Sequence, residues 1–321
     1  MALSKFGFGI EIEAVVKPLH HQSTESAPPQ AYYEILASEL RRNGLPAVAD
    51  RLNQAWQAQH PDHYDKWFIT KDGSLHGEPD EICLEAVSPV MKTNRRDWKE
   101  NLRIFWLAMN AVFDVQRNFT CGSHIHVAPQ GRKFSMAELK TIAFAVITQE
   151  HMVKSLLPRA RSTNGYCQRN SKLSPKLIDY FRDGKNARSF ATVKTAIQRM
   201  TTRAQILDLM QGIERFVIWN FKNIETTHTI EFRGGRHLRG PNRTFWWIAF
   251  AVSFISLALK ENTIGDSKIP LYVIPRVSEA YTKRMKKFWT AIIAEAERLH
   301  MGGHLPEDWH RMKELATSIR S

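Results

Sequence analysis

Seven ionisable residues sit at strand spacing in this 321-residue chain, and the six that are carboxylates or imidazoles could hold a cation. Glu11 and Glu13, in FGIEIEA, are two apart, so on an extended strand both carboxylates leave one face while Ile10 and Ile12 leave the other. Two carboxylates so placed repel each other unless a cation or arginines neutralise them. His124 and His126, in CGSHIHVA, repeat that geometry, with Ile125 and Val127 on the apolar side and Gly122 leaving room for a ligand. Glu231 and Arg233, in THTIEFRGG, share the phase of Thr227 and Thr229, and Glu85, in CLEAVSP, is out of phase with Leu84 and Ala86.

Each pattern alone also fits a structural role: a solvated carboxylate pair, hydrogen-bonded imidazoles, an internal ion pair. Four segments that each offer ionisable groups in phase are better explained by a shared site. Its donor set would be carboxylate-rich with at most two imidazoles, which suits magnesium or manganese better than zinc. Hard divalent ions held by few carboxylates usually carry nucleotide phosphates as well. Arg233, with Arg236, Arg239 and Arg243, could then bind phosphate oxygens through bidentate guanidinium contacts. The sequence has neither a Walker motif nor a GxGxxG fingerprint, so a nucleotide would lie on a sheet and not in a phosphate-binding loop.

The elements that must position these groups follow from periodicity. Residues 6–16 alternate strictly, and strands are also predicted at 67–71, 82–90, 120–128, 215–221 and 227–234, the last with its exit at Gly234-Gly235. A helix-like region carries Leu36, Leu40, Val48, Leu52 and Trp56. Asn94 is placed to cap a helix through Val112, and Ser135 with Glu138 forms a capping-box pattern for a helix ended by Pro158. Pro241 opens a long apolar helix to about 260, and amphipathic helices are predicted at 278–301 and 307–320. The order is no regular βαβ repeat and predicts an α+β protein, an antiparallel sheet with helices on one side. The expected division is a catalytic domain over 1–262 and a C-terminal helical extension over 263–321 packed on it.

Composition narrows the setting. With 43% hydrophobic residues the chain can bury a substantial core. The most apolar run, 245–259, is shorter than the roughly twenty residues needed to cross a bilayer and reads as a buried helix, so no membrane association is expected. Three widely spaced cysteines, Cys83, Cys121 and Cys167, exclude a disulfide framework and fit a reducing cytoplasm, and the N-terminus lacks signal-peptide features. A formal charge of +13 would attract anions, but the basic residues are spread over helical segments, which favours a solvated surface over a nucleic-acid site.

The ordered set GIEIE, DGSL, E-x-x-SP, CGSHIHV and TIEFRGG resembles the amidoligase family, a branch of the glutamine synthetase and glutamate–cysteine ligase superfamily, over about 6–259. YCQRN at 166–170 and RFVIWNF at 215–221 share the likeness. The resemblance implies a sheet curved into a half-barrel, like the catalytic domain of glutamine synthetase, with helices on its convex side. It also implies ATP with Mg2+ or Mn2+, and small-molecule or peptide carboxylate and amine substrates joined as an amide through an acyl phosphate. By similarity, Glu11, Glu13, Glu85, His124 and Glu231 would bind the divalent ions, His126 would approach nucleotide or substrate, and Arg233 would hold the transferring phosphate. Glu13, Glu85, His126 and Arg233 are the expected catalytic set, with Arg236 and Arg239 as further nucleotide contacts. The chain departs from the family pattern after TIEFR, continuing GGRHLRGPN.

Other readings fit less of the chain. A cupin-type metal site would want a glutamate about four residues after the second histidine, where Gln130 stands. A nucleic-acid or aminoacyl-tRNA-using protein is suggested by the charge and by 243–247, whose aromatics also fit a buried helix. A thiol mechanism at Cys167 or Cys121 finds no neighbouring histidine pattern for Cys167 and puts Cys121 on the core face. A non-catalytic ligand-binding member of the fold is opposed by the full set of carboxylates. The oligomeric state is not written in the sequence.

Overall fold

Alternation of apolar residues builds the first strand, β1 (Phe6–Pro18), in which Phe6, Phe8, Ile10 and Ile12 are buried on one face. The computed structural model describes residues 5–19, 28–50, 64–261 and 278–313, and they form an α+β protein with an open, mostly antiparallel sheet. Two compact units divide it, one made of 7–125 with 235–248, the other, over the described residues, of 5–6, 126–234, 249–261 and 278–313.

In the first unit β1 is followed by α1 (Pro29–Arg42), β2 (Ala47–Ala49), β3 (Trp67–Thr70), β4 (Ile82–Val87), β5 (Met91–Lys92), α2 (Asp97–Val112), β6 (Phe113–Val115) and β7 (Gly122–Pro129). The strand order is β2-β3-β4-β1-β7, with β5 and β6 also paired to β1. β4, β5 and β6 each join β1 antiparallel, as β3 joins β4, and β2 pairs parallel to β3. α2 brings Trp98, Leu102, Phe105, Trp106 and Met109 to its buried side. Trp98 meets Phe8 edge-on at 5.4 Å between ring centroids, and Trp67 stacks on Phe105 at 4.1 Å. Burying side chains of this size contributes about 1.5–3 kcal/mol each. Helix α2 therefore packs on the face of β1 that carries Phe8, and the carboxylates of β1 leave the other face.

Two expectations fail here. Val48 lies in β2, not in a helix, because Asn43-Gly44 ends α1, with Gly44 at φ +84°; Leu52 and Trp56 fall outside the described residues. Asn94 does not cap α2: the cap position is Arg96, without a side-chain hydrogen bond, and the first turn carries Asp97 and Glu100, whose charges suit the helix N-terminus.

The second unit contains α3 (Met136–Leu156), α4 (Arg159–Ser162), α5 (Asn170–Leu173), α6 (Pro175–Tyr180), α7 (Ala187–Arg199), α8 (Arg203–Met210), β8 (Trp219–Asn220), β9 (Ile230–Arg236), α9 (Pro241–Glu261) and α10 (Glu279–Arg298). β7, β9 and α9 each run through both units, and the strand order here is β7-β9-β8. The Ser135–Glu138 capping box opens α3 as expected. α9 is long and apolar enough to cross a membrane, but 72% of its apolar window is buried, as in a core helix. Its Phe250 and Phe254 pack on Phe232 and Trp219 at 5.4 and 4.7 Å, and Phe250 stacks on Trp289 of α10 at 6.4 Å.

The strand expected at 215–221 shrinks to Trp219–Asn220 and one bridge between Gln168 and Val217. The Asn170 side chain takes over backbone pairing there, donating to the carbonyls of Trp219 at 2.8 Å and Met210 at 3.1 Å. β9 begins only at Ile230, since His228 adopts a left-handed φ of 62°, so Thr227 and Thr229 precede the strand. Gly234 and Gly235 lie inside β9 and not at its exit. Of the helix expected at 307–320, the described part holds a 3-10 turn at Trp309–Met312.

Candidate metal centre

The first unit draws four of the expected residues together. In the antiparallel register of β1 and β4, Glu13 stands directly opposite Glu85 and Glu11 opposite Val87. Across β1, on β7, His124 is 3% exposed, with Nδ1 2.7 Å from Glu11 Oε2 and Nε2 3.2 Å from Glu13 Oε1. Glu13, also 3% exposed, accepts a hydrogen bond from the Gly122 N–H through its other oxygen. Ligand atoms of Glu13, Glu85 and His124 lie within 4.8 Å of one another.

Two carboxylates face each other directly here, and His124 lies against both Glu11 and Glu13. Like charges directly opposite on a sheet repel, and a neutral imidazole donates from one nitrogen only, yet both ring nitrogens of His124 face carboxylate oxygens. A divalent cation among these oxygens and the imidazole would resolve both conflicts, and the carboxylate-rich composition fits a hard ion. Tyr64, which the sequence reading did not single out, borders the cluster: burial, then the charge of Glu11, pushes its phenol pKa up. Nothing in its local sequence signals that place.

Other expected residues of the first unit lie at the end of β9 and beyond. Arg236 is 9% exposed, and burial followed by the neighbouring guanidinium groups of Arg243 and Arg117 lowers its pKa to about 10, so it stays charged at neutral pH. Arg239 donates through Nε to the Val115 carbonyl at 3.0 Å, and Arg243 stacks over the Trp246 ring at 4.0 Å. Burial, then Arg239 and Arg236, drives the His237 pKa down to about 4.

The second unit places the remaining three. His126 Nδ1 lies 3.0 Å from the Thr229 hydroxyl. Glu231, 2% exposed, accepts from Arg233 Nη1 at 2.6 Å, Asn220 Nδ2 at 2.7 Å and Asn223 Nδ2 at 2.8 Å. The Asn220 amide is oriented in turn by the fully buried Gln211, which donates to Asn220 Oδ1 at 2.7 Å. Three donors fix the direction of the Glu231 carboxylate. Gln211, Asn220 and Asn223 were not found from the sequence, because uncharged amides carry no spacing signature.

Fold and site together define an α+β protein whose open sheet presents a part-buried carboxylate–imidazole cluster suited to a hard divalent cation. The model of the family described as "Putative amidoligase enzyme" matches residues 4–245, about three quarters of the chain. The chain belongs to this amidoligase family, whose description is that of amide-forming ligases. No curated protein matches it.

Proposed function

We propose that this chain is an ATP-dependent carboxylate–amine ligase that forms an amide, peptide or isopeptide bond through an acyl phosphate. The convergence of Glu13, Glu85 and His124, with Glu11 against the imidazole, carries the reading, and membership of the amidoligase family supports it. Glu11, Glu13, Glu85 and His124 would hold magnesium or manganese, which when bound neutralises charge on the nucleotide phosphates. The half-barrel curvature known from glutamine synthetase belongs to the same proposal, as do the metal-binding role of Glu231 and the phosphate-binding roles of Arg233, Arg236 and Arg239. His126 would orient nucleotide or substrate.

In this scheme a substrate carboxylate oxygen bonds to the γ-phosphorus of ATP as the bond to the bridging oxygen breaks, leaving ADP and an acyl phosphate. An uncharged amine then attacks the acyl carbon, inorganic phosphate leaves with the bonding electrons, and the nitrogen loses one proton. The protein's share is positioning and charge neutralisation, since the groups at hand are carboxylates, imidazoles and guanidinium groups.

The test combines ATP, Mg2+ or Mn2+ and panels of amino acids, peptides and amines, followed by phosphate release and mass spectrometry of products. ADP, phosphate and an amide in equal amounts support the scheme. AMP with pyrophosphate would replace the acyl phosphate by an adenylate, and nucleotide left intact across the panels would refute ATP dependence.

A further inference from the structure

Arg161 sits in the four-residue helix α4, just after Pro158, and is only 3% exposed. Its position is fixed by the chain around it. The Arg161 N–H donates to the Pro158 carbonyl at 3.0 Å, and Gly234 lets the same junction rest on β9: a Cβ at Gly234 would lie 3.0 Å from Leu157 Cδ2. The guanidinium Nη2 then donates 2.6 Å to the backbone carbonyl of Arg233.

That is little reward for burying such a group. A guanidinium carries five N–H donors and a charge that does not titrate in proteins. Arg161 Nε is buried without a hydrogen-bond partner, and among the described residues no carboxylate pairs with the side chain. A buried charge left without a counter-ion is strongly destabilising, so the arrangement makes physical sense when a ligand supplies the negative charge. An oxyanion with several acceptor oxygens matches the planar fork of an arginine best.

We propose that Arg161 is an oxyanion-binding residue beside β9, taking a phosphoryl or carboxylate group of a substrate. The ligase reading enters only in naming the sources, the nucleotide polyphosphate or the substrate carboxylate; the binding itself does not depend on it.

Titration calorimetry of the full chain with ATP, ADP, pyrophosphate, inorganic phosphate and L-glutamate tests the proposal and separates the sources. Wild-type protein is expected to bind in the phosphate arms or in the glutamate arm. Arg161→Met and Arg161→Lys, each confirmed folded by circular dichroism, should both weaken that binding at least about tenfold, the lysine because it keeps the charge and loses the fork. Arg159→Met, at an exposed position of the same helix, should leave it unchanged. Arg161→Met is also expected to melt no lower than wild type without ligand, since an apolar isostere removes an uncompensated charge. Undiminished binding in Arg161→Met, failure of that variant to fold, or no binding of any probe to wild type would each overturn the proposal. Amide formation never enters the readout, so a chain that binds the anion but makes no amide would refute the proposed function and leave this assignment standing.

Discussion

Glu13 and Glu85 stand directly opposite each other in the antiparallel register of β1 and β4. A directly opposed like-charged pair on neighbouring strands is destabilising by roughly 0.2–1 kcal/mol, and the partners around it, Glu11 and His124, add one more carboxylate and one imidazole. Glu85→Gln removes one charge at nearly constant volume. In chelator the variant is expected to match wild type or exceed it by up to about 1 kcal/mol. Addition of Mn2+ should raise the melting temperature of wild type and fail to do so for the variant. Thermal denaturation with and without Mn2+ checks both halves, and an unchanged Mn2+ response would remove Glu85 from the metal set.

How much of this was legible in advance depended on the range of the interaction. The faces of β1 and β7 follow from period-two alternation, because Ile10, Ile12, Ile125 and Val127 must go to the core and their neighbours must then go the other way. The register that sets Glu13 against Glu85 was not legible, since the strands are separated by more than sixty residues containing a helix and two further strands. Elements whose pairing is supplied by a side chain were also hidden. Asn170 takes the place of a strand beside Trp219, and the apolar run at 215–221 gives no hint of it. In the sequence Arg161 is one basic residue beside another in RARS, and only its burial distinguishes it from Arg159.

Glu150 tests the second unit. It is 3% exposed in the middle of α3 and bound by Lys185 Nζ at 2.7 Å and by the Ser171 backbone N–H at 2.9 Å, with the Ser171 hydroxyl as a third donor. Burial alone would raise its pKa, but the charge and hydrogen bond of Lys185 and both bonds from Ser171 outweigh it and hold the carboxyl below its ordinary value of 4.5. A depressed folded pKa contributes stability above about 4.5 that is lost as pH falls through the folded value. Lys185→Met is expected to cost about 3–5 kcal/mol at pH 7 by stranding the buried carboxylate. In that variant only the two bonds from Ser171 oppose burial, the folded pKa rises, and the deficit should shrink as pH is lowered toward 5. Urea denaturation at pH 5 and pH 8 measures it; a deficit independent of pH would show that lost packing, not the charge, is responsible.

The glycine pair in β9 separates two kinds of close approach. A Cβ on Gly234 would meet the Phe232 ring and the Leu157 side chain, which can shift, whereas a Cβ on Gly235 would run into the Ser123 backbone carbonyl and hydroxyl on β7. Overpacking against side chains costs typically about 1–3 kcal/mol. Gly234→Ala should fall in that range and Gly235→Ala should exceed it, because the adjoining strand must move. Since Ser123 Oγ also donates to the Arg236 carbonyl at 3.0 Å, Gly235→Ala should disturb Arg236 as well. Chemical denaturation of the two variants gives the order, and equal losses would mean that β7 yields as easily as a ring.

His237 sets the acid limit of the first unit. Burial comes first, then the positive charges of Arg239 and Arg236, and together they drop its pKa from 6.5 to about 4. The sign follows from linkage: between those values the unfolded chain binds a proton that the folded chain refuses, so stability declines as pH falls from 6.5 toward 4. Integrated over that interval the loss is on the order of 2–3 kcal/mol, at 1.36 kcal/mol per pH unit and with some solvent screening. Its Nε2 is buried without a hydrogen-bond partner, so replacing the ring by an apolar one strands no partner group on that side. His237→Phe is therefore expected to flatten the decline between pH 6.5 and 4 while leaving stability at pH 8 within about 1.5 kcal/mol of wild type. Melting temperatures recorded across pH 4–8 on both proteins decide it, and an unchanged slope in the variant would assign the acid sensitivity to other groups.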